Sequence, residues 1–126
     1  MRDFRLFLHV FSASIWVGGQ IVLGALVPTL REIGGDAPRK VARAFNRIAW
    51  PAFGVLLLTG IWNLTAVGMD DLNHPWIEIK IMLVLISGAG AALHIRGGSK
   101  AALAIGGAMA SLGAVGAMYL GFVIAG

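Results

Sequence analysis

The amino-acid sequence predicts an all-α membrane protein, folded as an antiparallel bundle of four transmembrane helices in a single domain. Of its 126 residues, 58% are hydrophobic and only 13% are charged, whereas soluble domains are nearer half apolar and a quarter charged. Mean hydropathy is +0.83. A helix needs about 20 mostly apolar residues to cross a bilayer, and the stretches that reach this length are residues 4–30, 44–67, 76–95 and 101–124.

Each predicted span ends at residues that break helices. Gly34, Gly35 and Pro38 lie in the first link, residues 70–75 form the second, and the Arg-Gly-Gly-Ser-Lys segment at 96–100 forms the third. Short links make consecutive helices antiparallel neighbours, which favours a compact bundle. The apolar part of the first span is roughly 25 residues long, longer than the 7–15 of a signal peptide, so we expect the chain to retain it.

The distribution of charge predicts both termini on the outer side of a bacterial cytoplasmic membrane. Lys and Arg accumulate in cytoplasmic loops, and seven of the ten basic residues lie in or beside the first and third links. The net charge of +4 therefore reflects topology. The expected partner is the lipid bilayer, and a nucleic-acid partner is not expected. The seven residues are Arg31, Arg39, Lys40, Arg43, Arg47, Arg96 and Lys100.

Polar residues inside the first and third spans are the candidate functional groups, because such groups are costly at membrane depth. At 100° per residue, the first span places His9, Ser12, Trp16 and Gln20 on one face, and the third places Lys80, Ser87, Ala91 and His94 on another. We expect these two faces to look at each other. The proposed site lies near the outer leaflet between these two helices.

Depth separates the histidines. His9 lies about 8 Å and Lys80 about 6 Å below the outer ends of their spans, whereas His94 lies about 27 Å down. His9 and Lys80 are therefore level, and His9 and His94 cannot ligate one iron within a single protomer.

Each of these residues also has a structural interpretation. Lys80 can extend to the membrane surface, His9 can be a hydrogen-bonded structural histidine, His94 can be satisfied by headgroups or a carbonyl, and His74 can be an ordinary loop residue. Trp16, at mid-span, is expected to pack inside. The remaining tryptophans fit interfacial belts, Trp62 and Trp76 at the outer side and Trp50 at the inner side.

The fourth span carries a seam of small residues rather than a polar stripe. Such seams allow helices to approach closely, and this one predicts contact either within one protomer or between protomers of a homo-oligomer. The seam consists of Gly106, Ala110, Gly113, Ala117 and Gly121.

The first span, LFLHVFSASIWVGGQIVLGALVPTLR, resembles the opening helix of the copper resistance protein D family, with its His, its Trp-x-Gly-Gly and its inner Pro and Arg. NRIAWPAFGVLLLTGIWNL is similar to that family's Pro-containing helix ending in Thr-Gly, and HPWIEIKIMLVLISGAGAALH to its Trp-x-x-x-Lys helix. The resemblance covers about three of the four spans and implies copper binding or uptake.

The chain also resembles the J-type membrane protoporphyrinogen IX oxidase family, which implies a haem b site and proton-coupled oxidation of a porphyrinogen. His9, Trp16, Gly60, Trp76 and Lys80 match that pattern. The chain departs from it at two positions. Glu78 and Ala91 stand where that family typically has His.

Three functions follow. The first is a haem-b-binding redox protein with a quinone or other redox partner. His9 and Trp16 would contact the cofactor. The second ligand would come from His74, from Lys80 or from another protomer. Alternatively, Lys80 would pair with a carboxylate. His94 would hold a second cofactor. Glycines are expected to leave space beside His9, namely Gly18, Gly19, Gly88 and Gly90.

The second function is copper binding, since imidazole, carboxylate and thioether groups all ligate copper. The third is a non-catalytic membrane assembly subunit held by the seam of the fourth span. The outer copper cluster comprises His9, Met69, Asp70, Asp71 and His74, with His94 as a further metal ligand.

Overall fold

The computed structural model describes residues 2–66 and 75–125, and all regular structure in these two ranges is α-helical. All four helices are long and apolar enough to cross a membrane. This confirms the all-α fold class and is consistent with a four-helix bundle. The helices are α1 (Arg2–Ile33), α2 (Ala37–Ala66), α3 (Pro75–Arg96) and α4 (Lys100–Ala125).

The link between α1 and α2 is shorter than the sequence predicts. Gly34 and Gly35 adopt positive φ values of 81° and 59°, a conformation that ends a helix and that glycine adopts without steric cost. The carbonyl of Asp36 then accepts the amide of Lys40 at 2.8 Å. Pro38 lies in the first turn of α2 rather than in the link, because the first turn needs no proline N–H.

Contacts along α1 and α2 run in opposite directions, so these helices form an antiparallel hairpin. At its middle, the Trp16 ring packs against Phe53 with centroids 4.4 Å apart and against Trp50 at 5.3 Å. Only 3% of Trp16 is exposed, which confirms that it packs inside. Trp50 belongs to this aromatic cluster midway along α2. Its assignment to an interfacial belt stays a prediction.

The helices α3 and α4 form a second antiparallel hairpin whose backbones nearly touch. A Cβ built on Gly106 would lie 2.5 Å from the amide nitrogen of His94, and one on Gly90 would lie 2.7 Å from the amide nitrogen of Ala110. Ser87, which is 1% exposed, donates to the carbonyl of Ala110 at 2.6 Å. The small-residue seam of α4 therefore contacts α3 of the same chain, the intramolecular alternative of the two left open by the sequence.

The contacts of the chain divide it into two compact units, Met1–Ala66 and Val67–Gly126. The first contains the α1–α2 hairpin and the second the α3–α4 hairpin. The organisation of residues 1–126 as a single domain stays a prediction.

Replacing Gly106 by Ala tests the close approach of α3 and α4. The added methyl would meet backbone atoms of His94 and Gly90, which cannot move aside as a flexible side chain does. We expect a loss of about 1–3 kcal/mol in the free energy of unfolding, the usual cost of overpacking, measured by reversible unfolding in mixed micelles.

Gly54→Ala is the matched control, since a Cβ there meets nothing within 4 Å. The higher helix propensity of Ala should leave its stability unchanged or raise it by up to about 1 kcal/mol. Equal effects of the two substitutions would contradict the close packing.

Candidate functional site

A hydrogen bond between His9 and Thr59 joins the N-terminal half of α1 to the C-terminal half of α2. The Nδ1 atom of His9 lies 3.0 Å from the hydroxyl oxygen of Thr59. Thr59 is 4% exposed and His9 is half-buried. The imidazole is therefore fixed in orientation by the neighbouring helix.

The direction of this hydrogen bond follows from the other contacts of Thr59. Its hydroxyl lies 2.7 Å from the carbonyl oxygen of Val55 and 3.1 Å from that of Leu56, and a hydroxyl has one hydrogen to donate. With that hydrogen on the nearer carbonyl, that of Val55, Nδ1 of His9 donates to Thr59. In the neutral ring the lone pair then lies on Nε2, the arrangement in which a histidine ligates a metal while its other N–H is held.

The other polar residues on this face of α1 are bonded to their own helix. Ser12 donates to the carbonyl of Leu8 at 2.8 Å, and Gln20 donates to that of Trp16 at 3.0 Å. These short-range bonds satisfy polar groups inside an apolar hairpin. His9 differs because its bond to Thr59 crosses between helices.

The glycines expected to leave room beside His9 have different environments. A Cβ on Gly19 would lie 2.7 Å from the Phe45 ring, and Gly90 is packed against α4, so neither leaves space for a cofactor. Gly88 is buried, whereas a Cβ on Gly18 would meet nothing within 4 Å. The glycine beside the imidazole is Gly60, where a Cβ would lie 3.5 Å from Cε1 of His9.

One helical turn closer to the start of α1 and the end of α2, two buried polar atoms lack hydrogen bonds within the described residues. The Nε of Arg5 and the Oδ1 of Asn63 are inaccessible to solvent and have no hydrogen-bond partner among residues 2–66 and 75–125. Leaving a buried polar group unsatisfied costs about 1–3 kcal/mol. Such groups are rare in native structures and call for an explanation.

His94 lies in the second hairpin. Its Nδ1 is 2.7 Å from the carbonyl oxygen of Leu103, and since a carbonyl only accepts, Nδ1 donates. The side chain is exposed, and a Cβ on Gly107 would lie 3.3 Å from the same nitrogen. This is the carbonyl-satisfied arrangement given above as the structural interpretation of His94.

Lys80 is also held within the second hairpin. Its ammonium nitrogen would lie 3.3 Å from a Cβ on Gly121, so the missing side chain of that glycine makes room for it. The polar faces of α1 and α3 were expected to look at each other. The described hydrogen bonds between helices run from α1 to α2 and from α3 to α4, and the facing of α1 and α3 stays a prediction.

Most of the predicted copper cluster, namely Met69, Asp70, Asp71 and His74, lies outside the described residues. Within residues 2–66 and 75–125 there is no group of three or more His, Cys, Asp or Glu side chains placed to hold a metal ion. Of the cluster, the structure therefore describes His9 alone.

Thr59 is the residue that sequence reasoning overlooked. It interrupts the apolar run LLLTGIW and continues the buried face of α2 formed by Ala49, Ala52 and Leu56, at helical spacings of three and four. A hydroxyl at that position of a buried face was the available signal. Its pairing with His9 required the register of the hairpin.

Comparison with known proteins gives one relative to report. No family model matches the chain, and no solved structure matches it. A protein of Aquifex aeolicus (strain VF5), named "Uncharacterized protein", is 30% identical over 94 residues. The aligned segment covers 69% of this chain and 66% of the relative, so the chain spans just under two thirds of that relative's length. The resemblances to the copper resistance protein D and J-type oxidase families stay predictions.

Replacing Thr59 by Val should remove the hydrogen bond that fixes the His9 tautomer, whereas Thr59→Ser retains a hydroxyl. We expect ring-nitrogen chemical shifts of labelled histidine to show a proton on Nδ1 of His9 in the wild type and in Thr59→Ser. In Thr59→Val the preference for this tautomer should fall by the value of one hydrogen bond, about 1 kcal/mol. An unchanged tautomer in Thr59→Val would refute the assignment.

Proposed function

We propose that this chain is a haem-b-binding redox protein of the membrane, with His9 as an axial ligand of the iron. One observation supports the proposal most directly. The hydrogen bond of His9 to Thr59 at 3.0 Å fixes the ring and leaves the ligating lone pair on Nε2. Haem iron in many proteins is held by such an imidazole.

The residues around His9 suit this group. The imidazole is half-buried, and Gly60 beside it keeps the α2 side of the ring clear of a bulky side chain. Thr59 makes the ring a stronger electron donor through the Nδ1–H bond, a standard effect of a ligand's hydrogen-bond partner. A bound haem would supply one-electron redox chemistry, and this chain's part is to orient the ligand.

The charge distribution supports a location near the outer face of a bacterial cytoplasmic membrane. With the basic first and third links inside, α1 enters from the outer side, and His9 lies seven residues after Arg2, about 10 Å along the helix. A membrane-soluble electron carrier such as a quinone is the partner class that this depth favours.

Purified protein tests the proposal, with His9→Ala compared against His94→Ala. We expect the wild type and His94→Ala to show the Soret band of bound haem, and His9→Ala to lose at least about tenfold in haem affinity, because one axial ligand is removed. His94→Ala is the matched control because both histidines donate through Nδ1 and therefore have the same tautomer. The two histidines differ in the hairpin to which they belong.

Three results would contradict the proposal. One is a Soret band that survives in His9→Ala. Another is a colourless wild type that retains stoichiometric copper, which would favour the copper function. The last is a colourless, metal-free protein that takes up no added haem, which would favour a non-catalytic assembly subunit.

A further inference from the structure

Arg5 and Asn63 occupy corresponding positions on the two helices of the first hairpin. Arg5 lies four residues before His9 on α1, and Asn63 lies four residues after Thr59 on α2. Residues four apart lie on the same helix face, and the helices are antiparallel. Both residues are therefore one turn outward from the His9–Thr59 hydrogen bond, on the face that this bond occupies.

One polar side-chain atom of each of these residues is buried. Neither the Nε of Arg5 nor the Oδ1 of Asn63 has a hydrogen-bond partner among the residues that the structure describes. Because the Nε of Arg5 is inaccessible to solvent, water cannot satisfy its N–H. These two atoms therefore call for a polar partner.

The chemistry of the pair indicates a carboxylate. Arg5 carries a permanent positive charge and N–H donors in a planar group that matches a carboxylate. The nitrogen and oxygen of an Asn amide exchange on a half-turn of the side chain, so Asn63 can present a second donor from the opposite helix. Donors from two helices then converge on one anion.

We propose that Arg5 and Asn63 bind a propionate of the haem that His9 ligates. This inference rests on the proposed function and names how the ligand is oriented. Haem b carries its propionates at one edge, and Arg5 lies between His9 and the membrane surface, where a charged edge is least costly. The apolar part of the porphyrin then extends toward the interior of the membrane.

The test compares haem with its dimethyl ester, in which both carboxylates are masked. Binding of each to the full-length apoprotein is titrated by absorbance, in the wild type, Arg5→Gln, Asn63→Leu and the control Arg2→Gln. In the wild type, haem should bind about tenfold more tightly than the ester, the ratio expected from one charge-assisted hydrogen bond. In Arg5→Gln the ratio of haem affinity to ester affinity should fall close to one, while the affinity for the ester stays within about twofold of the wild-type value.

Arg2→Gln removes the other basic residue at the start of α1, which is exposed, and should keep the full ratio. Asn63→Leu should reduce the ratio without removing a charge, and it serves if Arg5→Gln folds poorly. A loss in Arg5→Gln that is equal for haem and ester overturns the inference, since the residue would then act on the fold alone.

Equal wild-type affinities for haem and ester also overturn the inference and leave the proposed function standing. This is the result expected if the carboxylate belongs to a fatty acid of the membrane instead. Binding of neither compound by the wild type overturns the proposed function and the inference with it.

Discussion

The hydrogen bond from His9 to Thr59 is the constraint on which the candidate site depends. Inside a bilayer no water is available to satisfy an imidazole, so its partner must come from the protein. Thr59 provides that partner at 3.0 Å, and with its own hydrogen on the backbone of α2 it accepts from His9. The bond thereby fixes the orientation and the tautomer of His9 together, and the proposed ligand role follows from both.

The two hairpins satisfy their polar groups by different means. Between the helices of the first hairpin, the side chains of His9 and Thr59 meet, and the aromatic cluster of Trp16, Trp50 and Phe53 packs α1 against α2. In the second, side chains reach backbone, as Ser87 does with Ala110, because glycines bring the helices close enough. When a polar group is bonded to a side chain, one substitution of the partner changes the hydrogen bond, which suits a ligand site. Hydrogen bonding to the backbone of a closely packed helix suits a rigid scaffold.

Sequence predicted the four helices because apolar length alone determines a membrane span. The apolar stretch at 44–67 does not include the first turns of α2, which begins at Ala37. The basic residues between Arg39 and Arg47 make these turns as polar as a loop. Sequence also identified His9 and the small-residue seam, which depend on spacing along one helix. Spacing along one helix does not contain the register between helices. That register determines the partner of His9, the contact of the seam with α3 and the corresponding positions of Arg5 and Asn63.

A double-mutant cycle on His9 and Thr59 tests this account most directly. The free energies of unfolding of the wild type, His9→Ala, Thr59→Val and the double variant would be measured in one lipid mixture. A coupling of about 0.6–1.5 kcal/mol is predicted, the range of a single hydrogen bond between membrane helices. Additive effects, with a coupling near zero, would show that the two side chains do not interact and that nothing fixes the imidazole.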